Sequence, residues 1–473
     1  MRARDKEYAM YYPIWDPPLV GASMVIAVVA VIHIFISHFA IGGGLFLVLS
    51  ERKARKANDS DLLTYLKSHS KFFVRMVLVY GAVTGVGIWY TIGLISPAAT
   101  SSLIHLFVWA WAIEWVFFFV EIAAAFIYYY GWDKLTAKQH MAVGWVYFVS
   151  AWMSLFMING ILTFMLTPGD WIETGSVVDA FFNPTMLPSL IVRTGVCIAL
   201  AGLYALFTGV VLKDDGLRKR VVHYAAGWML VGAMVIGPSG FWYISQIPSG
   251  AFEITAGGAA PIQMFAIGTV VLSLGIVVLA YVGPWRRPGQ TNVFVVVTLA
   301  LLAFGVTGMT EMVHEAVRKP YIIYDYMYAN SIRVDDVERI KEEGALTNGI
   351  WNESREVLPG RNEFTAGAEI FQMQCRSCHT VDGYNGVRLL VRNWTKLGRE
   401  EGLKYFDGQL AGLHVLKPYM PPFAGTKEER MALAIWLFSI GEREPLSGGE
   451  IDLLPGGDLY APPASAPSMG GVK

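Results

Sequence analysis

Eight runs of apolar residues, each long enough to cross a lipid bilayer, constrain this chain more than any other feature of its sequence. A membrane span needs about 20 predominantly apolar residues. Such runs lie near 19–50, 72–97, 103–130, 141–166, 186–212, 223–247, 263–283 and 292–318. The first and third exceed the need and are expected to tilt or protrude. In hydrocarbon every backbone N–H and C=O must be satisfied within its own segment, so runs of this length fold as helices. Composition agrees. Of 473 residues, 54% are hydrophobic and 16% charged, too apolar for an ordinary soluble protein. The formal net charge of −1 argues against nucleic acid as a partner.

The connecting segments are asymmetric in charge. After spans one, three, five and seven they read ERKARKAND, GWDKLTAKQH, KDDGLRKR and WRRPGQ. After spans two, four and six they read AATSS, TPGDWIETGSVVDAFFNPT and PSGAFEITAGGAAP, with no Lys or Arg. Basic loops stay in the cytoplasm, so both termini are expected outside, against a mild opposing signal from Arg2, Arg4 and Lys6. Residues 1–18 do not have the form of a signal peptide, and the first apolar run is too long for a cleavable one. The expected setting is a bacterial inner membrane, crossed several times, with both ends of the chain periplasmic.

The chain has three cysteines. Cys197 lies in an apolar run and reads as a small buried hydrophobe. Cys375 and Cys378 stand with His379 in FQMQCRSCHTVDG, the C-x-x-C-H spacing of covalent c-type haem attachment. Around it, FTAGAEIFQMQCRSCHT reads as a helix running into the motif and KEERMALAIWLFSIG as an amphipathic closing helix, with KPYMPPFAGT between them. This pattern resembles a class I cytochrome c. The resemblance implies His379 as proximal iron ligand and Met420, in YMPPF, as distal ligand, with His414 as its rival. A Met/His pair raises the redox potential. A zinc or thiol site is the alternative reading of the motif, and the Met-Pro-Pro-Phe loop argues against it. The chain thus divides into a transmembrane domain (1–318), an extracytoplasmic charged connector (319–363), a cytochrome c domain (364–443) and a Gly-, Pro- and Ser-rich tail without regular fold (444–473). The fold class is all-α: a polytopic bundle plus a small periplasmic helical domain.

Ionisable residues inside apolar spans are costly and default to functional candidates. Span one carries His33 and His38; span three carries Glu114 and Glu121, two turns apart on one face. Arg75 and Arg193 lie near the ends of spans two and five, and Glu311, His314 and Glu315 close span eight. His69, His140 and His223, at cytoplasmic ends, read as interfacial side chains rather than ligands. An imidazole in a span is a natural iron ligand, since a neutral nitrogen imports no charge.

The eight spans resemble subunit I of the cytochrome bd oxidases. HIFISHFAIGGGLFLVLSE is similar to that family's first-span motif, AIEWVFFFVE with GWDKLTAKQHM to its third span and following loop, and HEAVRKPYIIY to its E-x-G-R-Q-P-W motif. The resemblance implies His33 as ligand of the oxygen-reactive haem, Glu114 opposite it, Glu121 in the proton-conducting set, and Glu315 as carboxylate ligand of the high-spin b-type haem. The family has one more residue between the two glutamates. His314 is an alternative ligand to Glu315.

The departures matter as much. The family holds its quinol-oxidising low-spin haem with a histidine in span five and a methionine in span seven. The latter position matches Met264; the former is Arg193, which cannot ligate iron and suits a haem propionate. The quinol-binding loop between spans six and seven is reduced to the short PSGAFEITAGGAAPIQ. These features imply a membrane haem oxidoreductase in which a periplasmic c-type haem replaces quinol as electron port. It would pass electrons to intramembrane b-type or d-type haems, about one to three in number, and on to oxygen or another small acceptor. The competing expectation is an electron-transfer subunit relaying electrons between a membrane partner or quinone pool and periplasmic cytochromes. A second membrane subunit or a homodimer partner is expected, with a periplasmic electron-transfer protein as donor or acceptor.

Overall fold

The computed structural model describes residues 14–442 apart from 16, 18, 350 and 351; the tail expected from 444 onward lies outside the described residues. The chain forms two compact units. One comprises residues 27–90 and 102–318; the other comprises 319 onward with the stretch up to 26 and residues 91–101.

Among the described residues, eight helices are long and apolar enough to cross a membrane: α1 (Ala22–Ala57), α2 (Ser60–Ile95), α3 (Val108–Gly131), α4 (Ala137–Phe164), α5 (Met186–Gly209), α6 (Asp215–Ser245), α7 (Ala260–Ala280) and α8 (Val293–Ala316). In the first unit, consecutive spans pair as antiparallel hairpins, α3 with α4, α5 with α6 and α7 with α8. Its core is aromatic and aliphatic, with Phe39 stacked on Tyr204 at 3.9 Å and Phe46 edge-on to Trp228 at 5.3 Å. The outward faces carry Trp109, Phe119, Phe241 and Phe294, each more than 70% exposed, as helices that meet lipid require.

Helices α1, α2 and α6 extend beyond the expected spans at their basic ends, α6 starting at Asp215 rather than near 223. α1 continues to Ala57 because Glu51 and Arg55, one turn apart, pair at 2.6 Å and carry the helix through the charged segment. Asn58 then adopts φ 51°, and the Asp59 side chain caps the next helix by accepting from the Leu62 N–H at 3.0 Å. α2 therefore starts at Ser60, well before its apolar run, and passes through a π-helical turn at Met76–Gly81.

Among its described residues the second unit has helices and one hairpin, β1 (Tyr321–Ile323) with β2 (Met327–Tyr328). The helices used below are α9 (Val337–Glu343), α10 (Glu363–Gln374), α11 (Val387–Thr395), α12 (Arg399–Ala411) and α13 (Lys427–Glu442). α10, α11 and α12 all pack on α13. Phe371 and Trp436 meet at 4.5 Å in the centre. The charged connector is folded: Tyr328, Ile332, Val337 and Ile340 form an apolar cluster with Ala424. The Glu429 carboxylate of α13, 3% exposed, accepts from the backbone N–H groups of Ala345 and Leu346 at 2.8 Å each and of Thr426 at 2.9 Å. A buried carboxylate with three N–H donors is satisfied without a cation. Leu19, ahead of α1, accepts from the Tyr384 N–H at 2.8 Å.

Candidate functional site

The C-x-x-C-H segment begins where α10 ends at Gln374. The loop after it is tied down from several sides. The Asn385 side chain donates to the Cys378 carbonyl at 2.8 Å, Thr380 donates to the Tyr384 carbonyl at 2.9 Å, and Arg388 pairs with Asp382 and donates to the Ile440 carbonyl. The Asn385 carbonyl in turn lies 3.0 Å from His379 Nδ1. A carbonyl only accepts, so Nδ1 carries the hydrogen and Nε2 keeps its lone pair. Burial holds the imidazole below its ordinary pKa, against the opposing effect of that carbonyl. A neutral ring with a free Nε2, beside two thiols at the attachment spacing, is the donor set that a c-type haem needs, so the residues fit the group. On the distal side His414 Nδ1 donates to the Met420 carbonyl at 2.8 Å, which ties the two rival ligands to each other.

In the membrane unit, His33 Nδ1 lies 3.0 Å from Thr84 Oγ1, while that hydroxyl donates to the Tyr80 carbonyl at 2.7 Å. The threonine hydrogen is thereby spent, so His33 donates from Nδ1 and its Nε2 is left for a metal. His38, 4% exposed, likewise donates from Nδ1, to the Ile34 carbonyl at 3.0 Å. Arg193 on α5 is within electrostatic reach of His38, Tyr243 and Glu311. Its one described hydrogen bond is a long one of 3.4 Å from Nε to Ser189. At the end of α8, Glu315 pairs with Arg318, and His314 lies 3.8 Å from Glu311. Arg318 is 7% exposed, and its Nε is buried without a partner. His33 thus has a nitrogen to offer an iron, and Arg193 does not, because a guanidinium has no lone pair to give; Met264 is 73% exposed.

The two glutamates of α3 belong to a longer arrangement. On α3, Glu114, Glu121 and Tyr128 are spaced by seven residues, and so, running the other way on α4, are Ser154, Tyr147 and His140. They meet in three rungs. Ser154 donates to Glu114 at 2.7 Å, and Tyr147 donates to Glu121 at 3.0 Å. His140 Nε2 lies 2.9 Å from the Tyr128 carbonyl. Two turns, about 10.5 Å of rise, separate successive rungs. The third rung also takes in α1. Both carboxylate oxygens of Glu51 lie 2.9 Å from His140 Nδ1, and one accepts from the Tyr128 hydroxyl at 2.7 Å. Glu51 and His140 are each 0% exposed. The imidazole thus joins α1 to α3, with Nδ1 on the Glu51 carboxylate and Nε2 on the Tyr128 carbonyl. Its ring packs against those of Tyr128 (4.1 Å) and Trp132 (4.5 Å).

This corrects the reading of His69 and His140 as interfacial. His69 is 1% exposed, with Nδ1 on Thr208 at 2.8 Å and Nε2 buried without a partner. His223 does lie at the surface, stacked on Trp285 at 4.1 Å. The small residues of IGGG serve packing inside the chain: a Cβ on Gly44 would stand 2.3 Å from the ring of Tyr147, so glycine there admits the side chain that holds Glu121.

A family model described as cytochrome bd terminal oxidase subunit I matches residues 22–253, and one described as cytochrome C oxidase, cbb3-type, subunit III matches residues 362–437. The chain joins a cytochrome bd subunit I-like membrane domain to a cytochrome c domain. The first match takes in His33, Glu114, Glu121 and Arg193 and stops before Met264, His314 and Glu315. The structure of bd oxidase from Geobacillus thermodenitrificans matches with a TM-score of 0.55 at 14% identity, over 64% of this chain and 87% of that one; at this identity the likeness is one of fold. Comparison with curated protein sequences gives no match. A bd-like membrane domain bearing a cytochrome c domain is a haem-based electron-transfer protein of the membrane.

Proposed function

We propose that the protein is a membrane oxidoreductase that takes electrons through its C-terminal haem domain and delivers them, with protons, to oxygen or another small acceptor. Haem supplies the electron transfer and the small-molecule site when bound. His379, Cys375, Cys378 and Met420 would hold the c-type haem; His33, Glu114 and Glu315 would serve haems in the membrane, with His314 as the alternative to Glu315. Arg193 would pair with a propionate, which its position in a span without a carboxylate partner favours. The basic loops favour a periplasmic haem domain, where a soluble electron-transfer protein would meet it. A second membrane subunit or a second copy would complete the assembly.

The observation that carries this reading is the three-runged seam. Reduction of a small acceptor consumes protons, and an electron relay does not. Glu121, buried against Tyr147 and two turns from Glu114, gives the α3–α4 interface a carboxylate able to hold a proton on the way to the small-molecule site. The Glu51–His140 rung continues that line to the basic end of the helices.

The test is optical and polarographic. Reduced protein should show a shifted spectrum with carbon monoxide, and should take up oxygen from an artificial donor that reduces c-type haem. Uniformly low-spin, six-coordinate haems with no carbon monoxide shift would overturn the reading in favour of a relay.

A further inference from the structure

We propose that the basic end of α1 binds the headgroup of an anionic phospholipid. Arg52, Lys53 and Lys56 line a cavity of 410 Å³ together with Leu49 and Ala57. Positions 49, 52, 53 and 56 follow the i, i+3, i+4, i+7 spacing, so they occupy one face of the helix. Glu51 and Arg55, on the same turns, are turned the other way: Glu51 is 0% exposed in the rung with His140 and holds Arg55 at 2.6 Å. The one acidic neighbour is therefore committed elsewhere, and the cavity cations are not neutralised by it.

The other basic side chains around this end show what a balanced surface looks like. Lys67 pairs with Asp133, Lys219 and Arg218 with Asp215, and Arg220 with Asp59. Among the described residues, no carboxylate pairs with Arg52, Lys53 or Lys56. Lys53 instead rests 4.2 Å over the ring of Tyr224 on α6, which fixes its ammonium beside the cavity. Three unpaired cations around one concavity call for an anion with several acceptor oxygens, and a guanidinium with two ammonium groups suits a phosphate diester.

The level of this open hollow along α1 selects a lipid over a free ion. α1 has 36 residues, about 54 Å of rise against a hydrocarbon core of about 30 Å. Its unbroken apolar stretch ends at Leu49, and charge begins at Glu51. The cations thus stand at headgroup level, while Leu49 lies toward the acyl chains. A phospholipid uses both parts of the site, and inorganic phosphate uses one. Anionic lipids attract juxtamembrane cations in this way. This assignment does not depend on the redox reading above.

The test uses the full-length purified protein in detergent, titrated with phosphatidylglycerol, phosphatidylcholine or inorganic phosphate and followed by native mass spectrometry. Phosphatidylglycerol should be retained at roughly tenfold lower concentration than phosphatidylcholine, and inorganic phosphate should not displace it. The triple variant Arg52→Gln, Lys53→Gln, Lys56→Gln should lose the preference while its circular dichroism is unchanged. Should that variant fail to fold, Lys56→Gln alone should weaken retention by roughly threefold. Equal retention of the two lipids by the wild type, or a preference that survives the variants, overturns the proposal. Displacement by inorganic phosphate at similar concentration overturns it in favour of a free-anion site.

Discussion

The two units of this molecule solve opposite packing problems. In the C-terminal unit Trp436, Phe371 and Leu433 are buried and most charge lies outside; Glu429 is buried where three amides meet it, and Arg388 where Asp382 and the Ile440 carbonyl do. In the membrane unit Phe119, Phe241 and Phe294 face outward, while Glu51, Glu121 and His140 are inside. Water drives the first arrangement through apolar burial. Lipid offers no such drive between helices, so close packing and hydrogen bonds must hold the second together. A polar cluster is thus an exception in one unit and a means of specification in the other. The same contrast holds for the proposed haem sites. In the C-terminal unit, the residues proposed for attachment and proximal ligation fall within five consecutive positions, 375–379; in the membrane unit, the proposed His33, Glu114 and Glu315 come from three helices.

Four perturbations test that contrast. The largest effect is expected from Cys378→Ser together with Cys375→Ser. Haem staining of a denaturing gel should vanish completely, while non-covalent haem extracted from the same protein stays at wild-type level; loss of both pools would show that the sites are not independent. Glu121→Gln comes next. It keeps the hydrogen bond to Tyr147 but cannot carry a proton, and oxygen uptake should fall about 10²-fold with the haem spectrum unchanged. An unchanged rate would remove the seam from proton delivery. Glu51→Gln should then cost about 3–5 kcal/mol, since it breaks the buried pair with His140 and takes the shared carboxylate from Tyr128 and Arg55. The melting temperature reports this, and Glu51→Gln with His140→Gln should recover part of the loss. Smallest is Gly367→Ala in the apolar unit, where a Cβ would fall 2.2 Å from the Ala432 carbonyl. α10 must then move off α13, at about 1–3 kcal/mol, read in the thermal unfolding of the c-type haem domain.

How much of this was legible in the sequence follows the same division. The C-x-x-C-H site is contiguous, and its spacing alone announces it. The spans declare themselves because their length and apolarity are bounded by the bilayer. The pairing of Glu114 and Glu121 on one face follows from helical geometry. The third rung was hidden by its surroundings. Glu51 stands at the head of ERKARKAND and His140 at the end of GWDKLTAKQH, both of which read as loops by charge. A local signal was present. Thr136 and Gln139 form a reciprocal capping box that starts α4 at Ala137, so His140 falls in its first turn rather than ahead of it. His69 reads as interfacial for a similar reason: a capped, amphipathic start to α2 precedes its apolar run, and charge near that start resembles a loop. Partners from α1, α3 and α4 are far apart in sequence, and only the packed bundle brings them to one carboxylate.

The bond from Tyr384 to Leu19 has a consequence for how the chain is made. Domains usually fold in the order in which they leave the ribosome. Here the loop that follows the haem-attachment cysteines is completed by a residue synthesised hundreds of positions earlier, and α13 is held through Glu429 to amides that precede α10. A gene fragment beginning at Phe364 would encode every proposed ligand of the c-type haem and lack both of these supports. This late-emerging domain waits on a residue translated long before it.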